Sequence, residues 1–364
     1  MIDNISVKNF KSLKDVSLET KKLNLLMGLN GMGKSSFIQV LLLLIQSDKL
    51  EERVLDLQGT LINLGQGRDV FYQYAHEDYM EFCIKMKFFD FSWEFKYQPD
   101  KDKLFAKSGY RKDVMNVFRK HTANFQYINA ERIGPEDLYE ASSVIVTDKK
   151  QIGLQGEYAA YYLNIFGSNF IVSELLRHPK AESNKLIEQV NAWMDEISPG
   201  VSLNTKYVPE INRVILDYQF NLLHGKTNPF KPINVGFGIT YVLPVVLSLL
   251  TSEPNKIIVI ENPESHIHPR GQAQLGKLIA LAAANGSQLF IETHSDHILN
   301  GIRVAVKEKM IDKNDVNIAF FDKITTENEQ HTQITKIRVD ANGELDEYPK
   351  DFLDEWNNQL LKLI

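Results

Sequence analysis

Residues 27–36, MGLNGMGKSS, fit the spacing Gly-x-x-x-x-Gly-Lys-Ser, with Gly28, Gly33, Lys34 and Ser35 at the fixed positions. Glycines so placed let backbone N–H groups wrap a β-phosphate, the lysine reaches the β and γ oxygens, and the serine hydroxyl can ligate Mg²⁺. The phosphate contacts expected from this loop are Asn30, Gly31, Gly33, Lys34, Ser35 and Ser36. A chance glycine loop is the plainer reading. Against it, KLNLLMG reads as a buried strand before the loop and SFIQVLLLLIQS as an apolar helix after it, the order a phosphate site requires.

A phosphate loop of this kind needs an acid at the end of a neighbouring strand to hold the Mg²⁺ shell and, for hydrolysis, another to orient water. KIIVIENPESHIHPRGQ supplies an apolar strand followed at once by Glu261 and then Glu264. The plainer alternative is a helix-capping acid cluster beside a proline turn. One strand further on, LFIETHSDH places His294 just past an apolar run, where it could reach a γ-phosphate, although a lone histidine is more often structural or solvent-facing. His266 and His268, two apart, have the look of a metal pair, but the turn around them favours a structural role and no zinc site is expected.

The elements that must position these groups fall into an order. ISVKNFKSLKDVSLE alternates for a half-buried hairpin, and residues from DVFYQY to LFAKSG suggest a meander of antiparallel strands. FQYINAERIGPEDLYE reads as a strand ending at the 132–135 turn. Helical patterns follow in EYAAYYLNIFG and SNKLIEQVNAWMDEIS, then a hairpin turning at 209–212. The C-terminal half returns to α/β order: a helix from Ile239, strand KIIVIE, a helix from Pro269 to Asn285, strand SQLFIET and a helix from Asp296, with a short amphipathic helix in the tail. The division expected is 1–125, 126–232, 233–340 and 341–364. With 364 residues, 43% of them hydrophobic, a sizeable core is expected. A formal charge of -6 argues against wholesale coating of nucleic acid but permits a local basic face. Cys83 is the only cysteine, so no internal disulfide or cysteine-rich zinc site can form and a reducing cytosol is the simplest home. The N-terminus is unlike a signal peptide, and VLPVVLSLL from Val242 is too short for the roughly 18 residues of a spanning helix.

Taken together, NFKSLKDVSL…LNLLMGLNGMGKSS, NVGFGITYVLPVVLSLL, IIVIENPESHIHPRGQ and LFIETHSDHIL resemble the ABC-type ATPase heads of the SMC, RecF and OLD group. They look most like a prokaryotic subfamily of compact AAA-labelled ATPases found alone or beside effector genes. FQYINAERIGPEDLYE, GLQGEYAAYYL, WMDEISPGVSL and GELDEYPKDFLDEW are similar to that subfamily too. The resemblance implies an α/β head with an antiparallel β layer, a central mixed sheet flanked by helices and a helical lid insertion at 126–232. It implies N-terminal and C-terminal ATPase lobes at 1–125 and 233–340, and a tail at 341–364.

It further implies ATP with Mg²⁺ held between two subunits of a homodimer or higher oligomer, in the cytoplasm and away from the membrane. Asn234, Gly236 and Gly238 of one protomer would face the phosphates held by Lys34 and Ser35 of the other, although the usual serine of such signatures is absent and a glycine-rich entry to a buried helix is the plainer alternative. Glu261 is assigned with Ser35 to the Mg²⁺ shell and Glu264 to water orientation. Asn262 stands where relatives carry a second acid, which suits a slow ATPase acting as a timer or switch. Gln66 is a candidate for the loop that links γ-phosphate to the lid, and equally a turn glutamine.

Heads of this group commonly bind DNA, and the subfamily is often associated with antiphage defence. The basic segment KSGYRKDVMNVFRKH, with Arg111, Lys112, Arg119 and Lys120 around Tyr110 and Phe118, is the candidate nucleic-acid contact, with a solvated helix face as the alternative. The leading expectation is a sensor or regulator ATPase working with an effector protein such as a nuclease. The competing ones are a weakly hydrolysing nucleotide-dependent scaffold and a DNA-repair ATPase acting directly on DNA.

Overall fold

The computed structural model describes residues 1–47, 53–108, 124–350, 352 and 359–363. Most of the basic segment and much of the expected tail helix lie outside the described residues. The chain forms two compact units, Met1–Phe125 with Asn314–Asp340 and Leu345–Ile364, and Gln126–Lys313 with Ala341–Glu344. Compactness therefore divides the chain differently from the four-part division read from sequence. Residues 126–313 form one body across the 232/233 boundary, while Asn314–Asp340 returns to the N-terminal unit.

In the first unit, β1 (Ile2–Phe10) and β2 (Leu13–Glu19) form the antiparallel hairpin that their alternation predicts, with Ile5 and Val7 turned inward. β4 (Val54–Asp56), β5 (Tyr79–Met86), β6 (Phe89–Lys96) and β7 (Lys103–Ser108) complete an antiparallel sheet in the order β2-β1-β5-β6-β7-β4. β3 (Leu23–Met27) is buried at every position, as a strand covered on both faces must be. It runs parallel to β14 (Val316–Thr325), which turns back antiparallel into β15 (Gln330–Ile337). The helix Lys34–Gln46 leaves the loop after β3 and buries Phe37, Ile38, Leu41 and Leu42, each contributing about 1.5–3 kcal/mol.

In the second unit, β12 (Ile257–Glu261) and β13 (Gln288–Glu292) are parallel, in register from Ile257↔Gln288 to Glu261↔Glu292, with β8 (Phe125–Ile128) on the other side of β12. The helix Pro269–Ala284 makes the crossover and packs on Asp296–Lys307. A second sheet, β10-β11-β9, uses Tyr139–Glu140 (β9), Val201–Val208 (β10) and Arg213–Phe220 (β11), with β10 and β11 joined through Pro209–Ile211 and a left-handed Asn212. The helices Ala159–Phe166 and Leu186–Ile197 lie against it. Two expectations need correction. β8 ends at Ile128, not at the 132–135 turn, because the residues after it leave the ladder to bond the end of β12. The helix expected from Ile239 begins at Phe237, with Gly236 as its N-cap.

Candidate functional site: a glycine cradle and an acid turn

In the first unit the chain leaves β3 through three glycines with positive φ: Gly28 at 132°, Gly31 at 77° and Gly33 at 105°. A side chain at Gly28 would put its Cβ 2.2 Å from the Phe321 carbonyl oxygen, and one at Gly33 would lie 2.4 Å from Thr332 Oγ1. The spacing read from sequence is thus demanded by both backbone geometry and the β14–β15 hairpin packed beside it. The Thr332 hydroxyl lies 2.8 Å from both the Met32 carbonyl and the Ser12 hydroxyl, pinning the loop from outside.

Lys34 opens the helix Lys34–Gln46 and is only 3% exposed, yet its ammonium donates to the carbonyls of Gly28 at 2.9 Å and Leu29 at 2.8 Å. The loop wraps a buried cation, while Asn30, Gly31 and Ser35 are exposed and Ser36 half-buried around it. Gly33 is the N-cap and the first turn carries no acidic residue, so the helix presents main-chain N–H groups and its positive end to an anion. These residues fit a nucleotide polyphosphate, and Ser35 fits the hydroxyl ligand of its Mg²⁺.

In the second unit, β12 ends at Glu261 and the chain reverses through Asn262, left-handed at φ 45°, and His266 at φ 63°. Glu261 Oε1 accepts from the Tyr127 hydroxyl at 3.0 Å and Oε2 from the Ala130 N–H at 3.3 Å, while burial pushes the carboxyl above the usual range. Each oxygen keeps a lone pair for a further donor such as metal-bound water. Glu264 accepts from the Thr293 hydroxyl at 2.7 Å and from the His294 N–H at 2.8 Å. The structure thus brings Glu264 and His294 together through the main chain, with the His294 side chain exposed.

Sequence reading missed the groups that hold this turn. Arg132, 4% exposed, donates through Nη1 to the carbonyls of Asn129 and Glu261 and through Nη2 to that of Asn262. Its guanidinium lies over the Tyr241 ring, 4.7 Å from the centroid, and burial lowers its pKa to about 10, which leaves it charged at neutral pH. Tyr241 in turn accepts from the Arg132 N–H and donates to the Ala130 carbonyl. Nothing in the spacing of YINAER marks Arg132 as more than a turn residue. Two of its three acceptors are main-chain carbonyls some 130 residues away, those of Glu261 and Asn262.

Asn234 closes the short turn Pro232–Asn234, Gly236 caps the helix Phe237–Leu250, and Gly238 sits in its first turn. A Cβ on Gly238 would lie 2.0 Å from the His266 carbonyl oxygen, whereas one on Gly236 would meet nothing within 4 Å. A cavity of about 420 Å³ opens here, lined by Gly236, Gly238, Ile239, Val242, His268 and Arg270 among others. The His266 ring packs edge-on against Phe237 and Tyr241, and His268 Nδ1 accepts from the Arg270 N–H as a helix cap. Among the described residues no group of three or more His, Cys, Asp or Glu could hold a metal ion. Gln66 is the N-cap of the short helix Gly67–Val70, its main-chain N–H donating to the Asp69 carboxylate at 2.7 Å.

Comparison with solved structures gives the fold a name. The chain is similar to an SMC head bound to the C-terminal winged-helix domain of ScpA, with a TM-score of 0.53 at 14% identity, covering 92% of this chain and 97% of that one. It is similar also to a Pyrococcus furiosus SMC head with an extended coiled coil bound to the C-terminal domain of ScpA, with a TM-score of 0.51 at 12% identity, covering 100% of this chain and 99% of that one. The fold is that of an ABC-type P-loop ATPase head, as the motifs led us to expect. Residues 107–300, more than half of the chain, match the family described as "AAA domain, putative AbiEii toxin, Type IV TA system", and the chain belongs to that family. Residues 1–91 match an AAA ATPase domain, and residues 311–363 match the family DUF3696, proteins of unknown function. No curated protein matches the sequence. Among the described residues no helix is long and apolar enough to cross a membrane.

Proposed function

We propose that this chain binds ATP with Mg²⁺, hydrolyses it slowly and dimerises around it, acting in the cytoplasm as a sensor or regulator with an effector partner in antiphage defence. The observation that carries the reading is the cradle: three left-handed glycines wound about a buried Lys34 at the start of a helix. Asn30, Gly31, Gly33, Lys34, Ser35 and Ser36 hold the phosphates, and Ser35 and Glu261 belong to the Mg²⁺ shell. Glu264 orients water with His294 beside it, Asn234, Gly236 and Gly238 serve the partner protomer's nucleotide, and 126–232 acts as the lid. A protein partner is supported by analogy, since both SMC heads above were solved bound to a domain of ScpA.

A second reading, a scaffold that binds ATP and hardly turns it over, is favoured by one observation: both oxygens of Glu264 are already engaged, by Thr293 and by the His294 N–H. The discriminating experiment measures ATP turnover, with and without added DNA, alongside mass with and without ATP. Turnover with ATP-dependent doubling of mass supports the switch. Tight binding without turnover supports the scaffold, and strong salt-dependent DNA binding would support direct action on DNA. Failure to bind ATP would overturn all three.

A further inference from the structure

We propose that Arg132 is a positioning residue for hydrolysis, a buried clamp whose guanidinium fixes the main chain at the end of β12 and thereby the placement of Glu261 and Glu264. The inference rests on the ATPase reading above. A buried guanidinium is costly unless its donors are well used, and a structural arginine is most often matched to a carboxylate. Arg132 makes no ion pair among the described residues. Its two Nη atoms go instead to three carbonyls, with 3.1 Å to Asn129, 2.8 Å to Glu261 and 2.7 Å to Asn262, and Nε has no acceptor there. Two of those three carbonyls belong to successive peptides, those on either side of Asn262, the first residue past β12.

That point decides where the acids stand. Asn262 takes up a left-handed φ of 45°, and its N–H still reaches the Glu292 carbonyl at 2.8 Å, so the reversal starts immediately after the last ladder bond. Gripping the carbonyls of Glu261 and Asn262 from one planar fork fixes the orientation of both peptides, and hence the direction in which the chain proceeds to Glu264. The same segment supplies the two donors to the Glu261 carboxylate, the Tyr127 hydroxyl and the Ala130 N–H. Residues 127–132 thus form a collar on the acid turn, with Tyr241 holding both Ala130 and Arg132 in place. A lysine cannot replace the fork, because one ammonium on a flexible stem cannot orient two peptide planes at once.

The test compares wild type with Arg132→Lys, which keeps the charge, and with Tyr127→Phe, which removes only the hydroxyl bond to Glu261. Amide hydrogen exchange is read at Asn262, Ser265, Ile267 and His294, and steady-state kinetics are read beside it. We expect Arg132→Lys to exchange at least about tenfold faster at those amides, with the β12 and β13 interiors unchanged. We also expect kcat to fall roughly 10–100-fold at unchanged KM and unchanged ATP affinity, with a smaller fall for Tyr127→Phe. Unchanged exchange overturns the clamp, and faster exchange with unchanged kcat reduces Arg132 to a structural staple and overturns the positioning role. If Arg132→Lys does not fold, an unchanged kcat in Tyr127→Phe overturns the collar and a lowered one supports it. A wild-type protein that binds ATP without turnover marks the failure of the ATPase reading instead, and the exchange result alone then decides whether the clamp exists.

Discussion

Gly28 and Gly31 both have positive φ, 132° and 77°, but opposite surroundings, so they separate conformational strain alone from strain with crowding. Alanine at Gly31 meets nothing within 4 Å and pays only the left-handed penalty of about 1–2 kcal/mol. Alanine at Gly28 is strained further, at a φ of 132° beyond the left-handed helical well, and also drives its Cβ to 2.2 Å from a main-chain oxygen of Phe321, which can move only with β14. We expect Gly31→Ala to keep ATP binding with a small fall in melting temperature. Gly28→Ala should lose both binding and several degrees more, as measured by nucleotide titration and thermal melts. Lys34→Ala should weaken ATP binding by at least roughly 10–100-fold, the worth of hydrogen bonds from a charged group. Equal affinity in that variant would sink the cradle.

Elsewhere, His178 is buried against Trp193 with its Nδ1 accepting from the Lys180 N–H, and burial holds its pKa below 6.5 despite Glu196 nearby. The unfolded chain therefore takes up that proton at a higher pH than the native one. The stability it contributes is present above 6.5 and lost as pH falls below it. Melting temperatures measured between about pH 5 and 8 should show a shallower acid-side fall in His178→Gln than in wild type.

At the scale of elements, strands and helices with strong local patterns were legible from sequence: the alternation of β1 and β2, the buried runs of β3, β12 and β13, and the glycine spacing between β3 and its helix. β14 and β15 were not. Their role depends on β3, whose pairing with β14 joins Leu23 to Val316, and no local period reports so distant a partner. Arg132 was missed for the same reason, since its acceptors are backbone atoms that carry no residue-type signal. Gly236 and Gly238 were legible as a helix entry but not as two different positions. Gly238 touches the acid turn through the His266 carbonyl, whereas Gly236 faces open space. Gly238→Ala should therefore lower stability and turnover together, and Gly236→Ala should fold normally while weakening ATP-dependent doubling of mass. Melting and mass measurements on the two variants check both outcomes, and identical behaviour would count against a signature role for Gly236.

For the whole molecule, the phosphate cradle and the acid turn belong to different compact units, so binding and hydrolysis should be separable by mutation. Glu264 gives the sharpest case. Its two oxygens accept one bond each from the Thr293 hydroxyl and the His294 N–H, and glutamine has a single acceptor oxygen with an amide nitrogen that only donates. Glu264→Gln can keep both contacts, its oxygen accepting from the His294 N–H and its amide donating to the Thr293 hydroxyl, but it gives up the negative charge that would orient an attacking water, and it changes no residue of the cradle. We expect the variant to bind ATP as wild type does, to lose turnover by at least roughly 100-fold as a missing general base does, and to remain as a nucleotide-bridged pair. Light scattering after removal of free ATP would read this as a doubled mass that persists in the variant and decays in wild type. Turnover at the wild-type rate would remove Glu264 from the hydrolytic step. A persistent pair already in wild type would mean that the bonds from Thr293 and His294 keep the carboxylate from water, which is the behaviour of a scaffold.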